Sequence, residues 1–93
     1  MIMSLMLDDA IDLLRQMIAT PSVSRDEAAV ATLIFDRLDS WGLQPMRYGN
    51  NIVARCTRWN SERPTLMLNA HIDTVRPAAS YTLDPYTPII RDG

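Results

Sequence analysis

A histidine and an aspartate two residues apart are the side chains of this chain best suited to chemistry. His71 is the only histidine, and Asp73 follows it in the stretch Leu66–Val75, LMLNAHIDTV. In extended backbone, residues two apart project to the same side, so this imidazole and carboxylate are able to touch or to face one site. A metal-bound histidine commonly gives its other ring N–H to a carboxylate. The spacing alone leaves two interpretations open, a metal ligand and a hydrogen-bonded structural histidine.

Two helices are predicted ahead of this pair. Apolar residues at helical spacing predict a first helix over Ser4–Ala19, which Pro21 ends because the residue before a proline avoids helical angles. A capping-box pattern over Ser24–Glu27 opens a second helix. Its apolar stripe ends at Trp41, which we expect in the core, and Gly42 is the predicted C-terminal cap.

After the second helix, the spacing of the apolar residues changes from that of a helix to that of strands. Leu43–Tyr48 contains a proline and therefore predicts an edge strand. Gly49–Asn51 is a predicted turn, and Ile52–Thr57 is the predicted returning strand of a hairpin. The uninterrupted run Thr65–Ala70 predicts a buried strand covered on both faces. His71 then lies at the carboxyl end of that strand, where open α/β sheets bind their ligands.

The last part of the chain is broken up by prolines. After Val75 we expect irregular structure until Ile89–Arg91, which predicts a last strand, with Asp92-Gly93 as a hairpin turn. The order of helix, helix, hairpin and buried strand is typical of the first part of an α/β layered domain. We therefore predict that residues 1–93 are an incomplete N-terminal portion of one such domain.

Composition and charge exclude several classes of protein. The chain is 47% apolar and 22% charged, and its arginines are scattered among acidic residues, so no nucleic-acid or anionic-membrane partner is expected. Cys56 is the single cysteine, which excludes an internal disulfide, and its alternation with Ile52 and Ala54 predicts a small buried hydrophobe. The apolar start Met1–Leu7 is too short for a membrane span and has no basic residue, which predicts a cytoplasmic protein without a signal peptide.

Three segments in order resemble a known family. They are TPSVS at Thr20–Ser24, LMLNAHIDTV at Leu66–Val75, and YTLDPYTPIIRDG at Tyr81–Gly93. Together they resemble the zinc metallopeptidases that include acetylornithine deacetylase, succinyl-diaminopimelate desuccinylase, aminoacylase and carboxypeptidase G. The specific part is H-x-D-T-V with the D-P-Y-x-P that follows it, and the chain looks most like the acetylornithine deacetylases.

The resemblance implies a hydrolase of N-acyl amino acids that serves amino-acid biosynthesis. It implies that His71 binds one of two zinc ions, with cobalt as an alternative metal. It implies that Asp73 is a catalytic residue that orients this imidazole, and that the parent enzyme is a homo-oligomer. In this family the bridging aspartate, the glutamate base and the remaining ligands would follow beyond Gly93. We therefore expect the 93 residues alone to hold no zinc and to be inactive.

The sequence departs mildly from the family pattern. Ala70 stands where many members have glycine, and Tyr81 and Tyr86 stand where many have tryptophan and phenylalanine. These differences leave the preferred acyl group and substrate open. Asp84 is interpreted as a turn former rather than a metal ligand, because it precedes a proline.

Two other functions remain as alternatives. One is a non-catalytic α/β fragment that self-associates, because an unpaired Leu66–Leu68 strand would leave an apolar edge that invites another chain. The other is a binding module without metal, in which His71 is merely structural.

Overall fold

The computed structural model describes residues 2–92 of the chain, and the side chains of residues 6–92. It contains helix α1 (Ile2–Ala19), helix α2 (Ala28–Ser40), strand β1 (Met46–Tyr48) and strand β2 (Asn51–Val53). This order confirms a mixed α/β chain with two helices followed by a hairpin. Neither described helix is long and apolar enough to cross a membrane. Gly93, predicted to lie in a turn, is outside the described residues.

Helix α1 ends where the sequence predicts and begins two residues before the predicted Ser4. Its last turn closes with the hydroxyl of Thr20, which donates to the carbonyl of Gln16 at 2.8 Å, just ahead of Pro21. Helix α1 packs against α2. The guanidinium of Arg37 on α2 binds the carboxylate of Asp12 on α1 at 2.9 Å, which links the polar edges of the two helices.

The predicted capping box at the start of α2 does not form. The helix begins at Ala28 without a side-chain cap, so the prediction that Ser24 caps it is wrong. The reason is a turn in which Arg25 has a left-handed φ of 72° and Asp26 donates its N–H to the carbonyl of Val23 at 2.8 Å. In this turn the carboxylate of Glu27 accepts a hydrogen bond from the backbone N–H of Arg25 at 2.8 Å.

The C-terminal end of α2 confirms the predicted glycine cap. Gly42 has a φ of 78° and donates its N–H to Asp39 at 2.9 Å, while Leu43 donates to Leu38 at 3.1 Å. These two bonds form a Schellman motif, in which a left-handed residue satisfies the last carbonyls of a helix. The expectation that Trp41 lies in the core is wrong, because the helix ends there and leaves the indole exposed.

The hairpin forms with shorter strands than predicted. Strands β1 and β2 pair antiparallel with Tyr48 opposite Asn51, which leaves Gly49 and Asn50 as a two-residue loop. Gly49 has a φ of 63°, as the first loop position of a type II′ turn requires. Arg47 on β1 joins the hairpin to α2 by donating to the hydroxyl of Thr32 at 2.8 Å. The ladder is three residues long on each side, and no further strand pairs with β1 or β2 among residues 2–92.

The predicted buried strand is wrong. Thr65–Ala70 forms no strand, and Leu66, Met67 and Leu68 are 87%, 79% and 90% exposed. The run has the composition of a covered strand, but no described strand lies beside it to accept its backbone hydrogen bonds or to cover its side chains. Among the side chains of residues 6–92, the buried hydrophobic ones are Val30 and Ala31, so the core is centred on α2.

Two further predictions fail for the same reason. Cys56 is exposed rather than buried, because strand β2 ends at Val53 before reaching it. Ile89–Arg91 forms no strand, although the irregular structure predicted between Val75 and this stretch is present. Both segments lack a neighbouring strand among residues 2–92.

Candidate functional site

The imidazole of His71 and the carboxylate of Asp73 lie in contact. His71 Nδ1 is 3.2 Å from Asp73 Oδ1 and 3.0 Å from the backbone carbonyl oxygen of the same residue. The histidine side chain is 85% exposed and the aspartate side chain 42% exposed. The i, i+2 spacing therefore places both groups on one side of the backbone, at the surface of the chain.

This contact fixes which ring nitrogen of His71 remains open. Both oxygens near Nδ1 are acceptors, so the neutral ring satisfies them best by carrying its proton on Nδ1. The lone pair is then on Nε2, which points away from Asp73 because it lies across the ring. A histidine whose Nδ1–H is held by an oxygen and whose Nε2 is open has the arrangement of a metal ligand oriented by a carboxylate.

The motif is anchored to the loop between the two helices. Thr74 donates its N–H to the carbonyl of Ser22 at 2.7 Å, and Thr74 forms a parallel bridge with Val23. Ser22 is buried, whereas Thr74 is exposed. The bridge fixes the backbone directly after Asp73 against the segment that follows α1.

All three segments that carry the family resemblance line one groove. The groove lies between the end of α1, the Thr74 bridge and the segment that follows it. Its lining includes two residues from each of the three segments: Thr20, Ser22, Thr74, Val75, Tyr81 and Tyr86. Segments about 60 residues apart in sequence thus meet beside the His71–Asp73 pair, which the sequence reasoning did not anticipate.

Asp84 is the turn former that the sequence predicts. One carboxylate oxygen accepts the N–H of Tyr86 at 2.9 Å, and the other accepts the hydroxyl of Thr87 at 2.9 Å. The backbone N–H of Tyr86 first, and the Thr87 hydroxyl second, lower the pKa of the Asp84 carboxyl below its ordinary value. Because both oxygens are engaged in the turn, Asp84 serves to shape the segment that lines the groove.

The described residues fit one position of a zinc site and do not complete it. Nε2 of His71 is a suitable nitrogen ligand, whereas the nearest carboxylate, Asp73, is turned toward Nδ1. Within residues 2–92, no group of three or more histidine, cysteine, aspartate and glutamate side chains is placed to hold a metal ion. Zinc sites in hydrolases use about three protein ligands and an open position for water.

Ser22 is the site residue that the sequence reasoning missed. Its segment, TPSVS, is interpreted from the sequence as the chain following the first helix and as part of the family resemblance, with no role given to Ser22 itself. The available signal was the proline that precedes it, since a proline forces an extended path for the chain around it. Nothing local in the sequence shows that this path runs beside Thr74, because the two residues are 52 positions apart.

Comparison with known proteins finds a similarity to a desuccinylase over most of this chain. The chain is 39% identical over 87 residues to the succinyl-diaminopimelate desuccinylase of Stenotrophomonas maltophilia (strain K279a). The match covers 89% of this chain and 23% of that relative, so the chain spans about a quarter of the length of the curated relative it matches. No family model matches the chain. The similarity supports the family that the three motifs predict.

Proposed function

We propose that this chain forms the His71-bearing part of the catalytic domain of a zinc-dependent amidohydrolase, which removes an acyl group from an N-acyl amino acid. The observation that carries the proposal is the contact between His71 Nδ1 and Asp73, which leaves Nε2 open. The similarity to a desuccinylase supports the same reaction class.

In this proposal each residue of the pair has its own role. His71 binds zinc through Nε2, and Asp73 positions the ring through Nδ1 and makes the ligand more basic. Zinc, when bound, polarises the amide carbonyl and lowers the pKa of a water molecule. Thr74 holds the pair in place through its bond to Ser22. The other ligands and the general base come from residues outside these 93, which the 23% coverage of the relative supports.

Two substrates are candidates for the parent enzyme, one suggested by the resemblance and one by the relative. An N-acetylated ornithine-like substrate is our first choice, because the motifs look most like those of acetylornithine deacetylase. The N-succinyl substrate named by the desuccinylase is its direct competitor. A cytoplasmic, homo-oligomeric parent enzyme that acts in amino-acid biosynthesis belongs to the same proposal.

A chimera tests the proposal directly. The matched segment, which makes up 89% of this chain, replaces the corresponding segment of the Stenotrophomonas desuccinylase. We expect the chimera to bind zinc and to hydrolyse N-succinyl or N-acetyl amino acids. His71→Ala should abolish activity, and Asp73→Asn should weaken metal affinity or activity roughly 10- to 100-fold, as losing the carboxylate behind a metal-bound histidine does. Arg58→Ala, at an exposed residue that precedes the motif in the sequence, is the control and should change neither.

Activity of the chimera that survives His71→Ala would refute the assignment of His71 as a ligand. A chimera that folds and takes up zinc but hydrolyses neither substrate would refute the proposed reaction class. Comparing N-acetylornithine with the N-succinyl substrate, by kcat/KM, decides between the two acyl groups.

A further inference from the structure

The backbone behind the His71–Asp73 pair depends on the conformation of the loop between α1 and α2. Thr74 is held to this loop by its hydrogen bond to the carbonyl of Ser22 and by its bridge with Val23. Because Thr74 directly follows Asp73, the position of the pair depends on the direction in which the loop backbone points. A group that fixes this loop therefore also positions the pair.

The loop contains a turn that its own sequence disfavours. Arg25 adopts a left-handed φ of 72°, which costs energy for any residue with a Cβ atom. The turn begins at Val23, whose carbonyl accepts the N–H of Asp26 at 2.8 Å. Since the segment Ser24–Glu27 contains no glycine, contacts from outside the backbone of the turn have to stabilise this conformation.

The carboxylate of Glu27 supplies such a contact. One of its oxygens accepts the backbone N–H of Arg25 at 2.8 Å, a hydrogen bond that the negative charge strengthens. The other oxygen lies 3.5 Å from the side-chain amide nitrogen of Asn50 in the hairpin loop. The backbone carbonyl of Glu27 accepts the N–H of Ala31 at 2.9 Å, at the start of α2. Glu27 thus connects the turn at Arg25 with both the helix and the hairpin.

Arg47 holds Asn50 within reach of Glu27. Its guanidinium donates to the side-chain oxygen of Asn50 at 3.1 Å and to the carbonyl of Ala28 at 3.3 Å. The hairpin loop is thereby fastened to the first turn of α2, next to Glu27. Polar contacts therefore run from the hairpin, through Glu27 and the turn, to the residue that follows Asp73.

We propose that Glu27 is a positioning residue for the His71–Asp73 pair. It acts through the turn at Arg25, which sets the direction of the carbonyl that Thr74 binds. Loss of this carboxylate releases the turn, loosens the backbone behind Asp73 and weakens the contact that keeps the proton of the imidazole on Nδ1. The effect on the pair stands on the contacts described above, whereas any effect on zinc affinity rests on the proposed function.

Amide hydrogen exchange and NMR of the His71 ring, both in the 93-residue chain, test this positioning. In Glu27→Ala the Thr74 amide should exchange roughly 3- to 30-fold faster, because a hydrogen bond to a charged acceptor is lost. The share of His71 rings with the proton on Nδ1 should fall as well. Glu27→Gln keeps an oxygen acceptor for Arg25 and should restore most of the protection. The Gly42 amide, at the opposite end of α2, should keep its exchange rate.

Two further variants separate this role from a general loss of stability. Glu62→Ala removes the same charge at an exposed glutamate in the loop after β2 and should change neither measurement. Adding Arg25→Gly to Glu27→Ala should restore protection of the Thr74 amide, because glycine adopts a left-handed φ without a Cβ penalty. Equal acceleration of the Thr74 and Gly42 amides in Glu27→Ala would indicate a weaker fold as a whole and would overturn the positioning role.

The chimera with the Stenotrophomonas desuccinylase extends the test to zinc. Glu27→Ala should raise the zinc concentration needed for half-maximal activity roughly 3- to 10-fold, less than Asp73→Asn, because Glu27 acts through the backbone. If His71→Ala keeps its activity, the proposed function fails, and the exchange and ring measurements on the chain still decide the positioning role. An unchanged Thr74 amide and an unchanged His71 ring in Glu27→Ala would refute that role.

Discussion

Zinc affinity is the property that most directly separates a complete metal site from a part of one. The perturbation is a titration of the 93-residue chain with zinc, beside the His71→Ala variant. We expect weak binding through Nε2 of His71, because the carboxylate in contact with this ring, that of Asp73, is engaged with Nδ1 at 3.2 Å. No other set of suitable side chains gathers within residues 2–92.

The magnitude follows from the number of ligands. Structural zinc sites with four ligands gain about 10–16 kcal/mol on binding, which is roughly 2.5–4 kcal/mol for each ligand. A binding free energy of about 4 kcal/mol corresponds to a Kd of about 1 mM. A single imidazole therefore predicts a zinc Kd at or above the millimolar range, far weaker than an enzyme needs to keep its metal.

Isothermal calorimetry gives the affinity, and the NMR signals of the His71 ring show whether that ring is the ligand. We expect shifts of the ring protons at millimolar zinc in the parent chain and no corresponding shifts after His71→Ala. Micromolar binding that disappears in the variant would refute the reasoning, since it would require further ligands around His71. Micromolar binding that survives in the variant would place a site elsewhere and refute the role of His71.

Three more predictions concern the framework around the site. Gly42→Ala should lower the free energy of unfolding by about 1–2 kcal/mol through its left-handed φ alone, since no atom lies within 4 Å of a Cβ there. Gly42→Asn should cost less, and urea unfolding followed by helical circular dichroism measures both. Val30→Ala should cost about 1.5–2.5 kcal/mol in the same assay, because this side chain is fully buried. The turn formed by Asp84 should persist above the ordinary aspartate pKa of 3.8 and be lost as the pH falls through the lowered pKa of this carboxyl. The NMR signal of the Tyr86 amide should show this transition, and the Asp84→Asn variant should not.

The features that local sequence determines were predicted well. The end of α1 before Pro21 and the Schellman motif at Gly42 depend on backbone angles that single residues set. The position of the hairpin turn at Gly49 is of the same kind, although Asn51, which the sequence places in the turn, is the first residue of β2. By contrast, the predicted cap at Ser24 failed because the left-handed turn at Arg25 redirected Glu27, and nothing in a capping-box pattern reveals such a turn.

Predictions that depend on neighbouring strands failed together. The composition of Thr65–Ala70 indicates burial on two faces, and the segment is exposed on both. The expected burial of Cys56 failed for the same reason. An uninterrupted apolar sequence indicates a segment that is stable as a strand when it is buried, but other strands have to provide that burial. Within residues 2–92 the sheet consists of β1 and β2 alone, so these segments have no neighbouring strand to cover them.

The candidate site also depends partly on residues close together in the sequence and partly on residues far apart in it. The His71–Asp73 contact arises from a spacing of two residues, so a short motif was sufficient to predict that the groups are able to touch. The bond from Thr74 to Ser22 joins residues 52 positions apart, and the sequence did not reveal it. A metal site requires both kinds of determinant, because a well-oriented ligand binds weakly until distant segments bring others to it. The oriented imidazole and its open Nε2 are the local part of the candidate site, whereas the anchoring of Thr74 to Ser22 is a distant part.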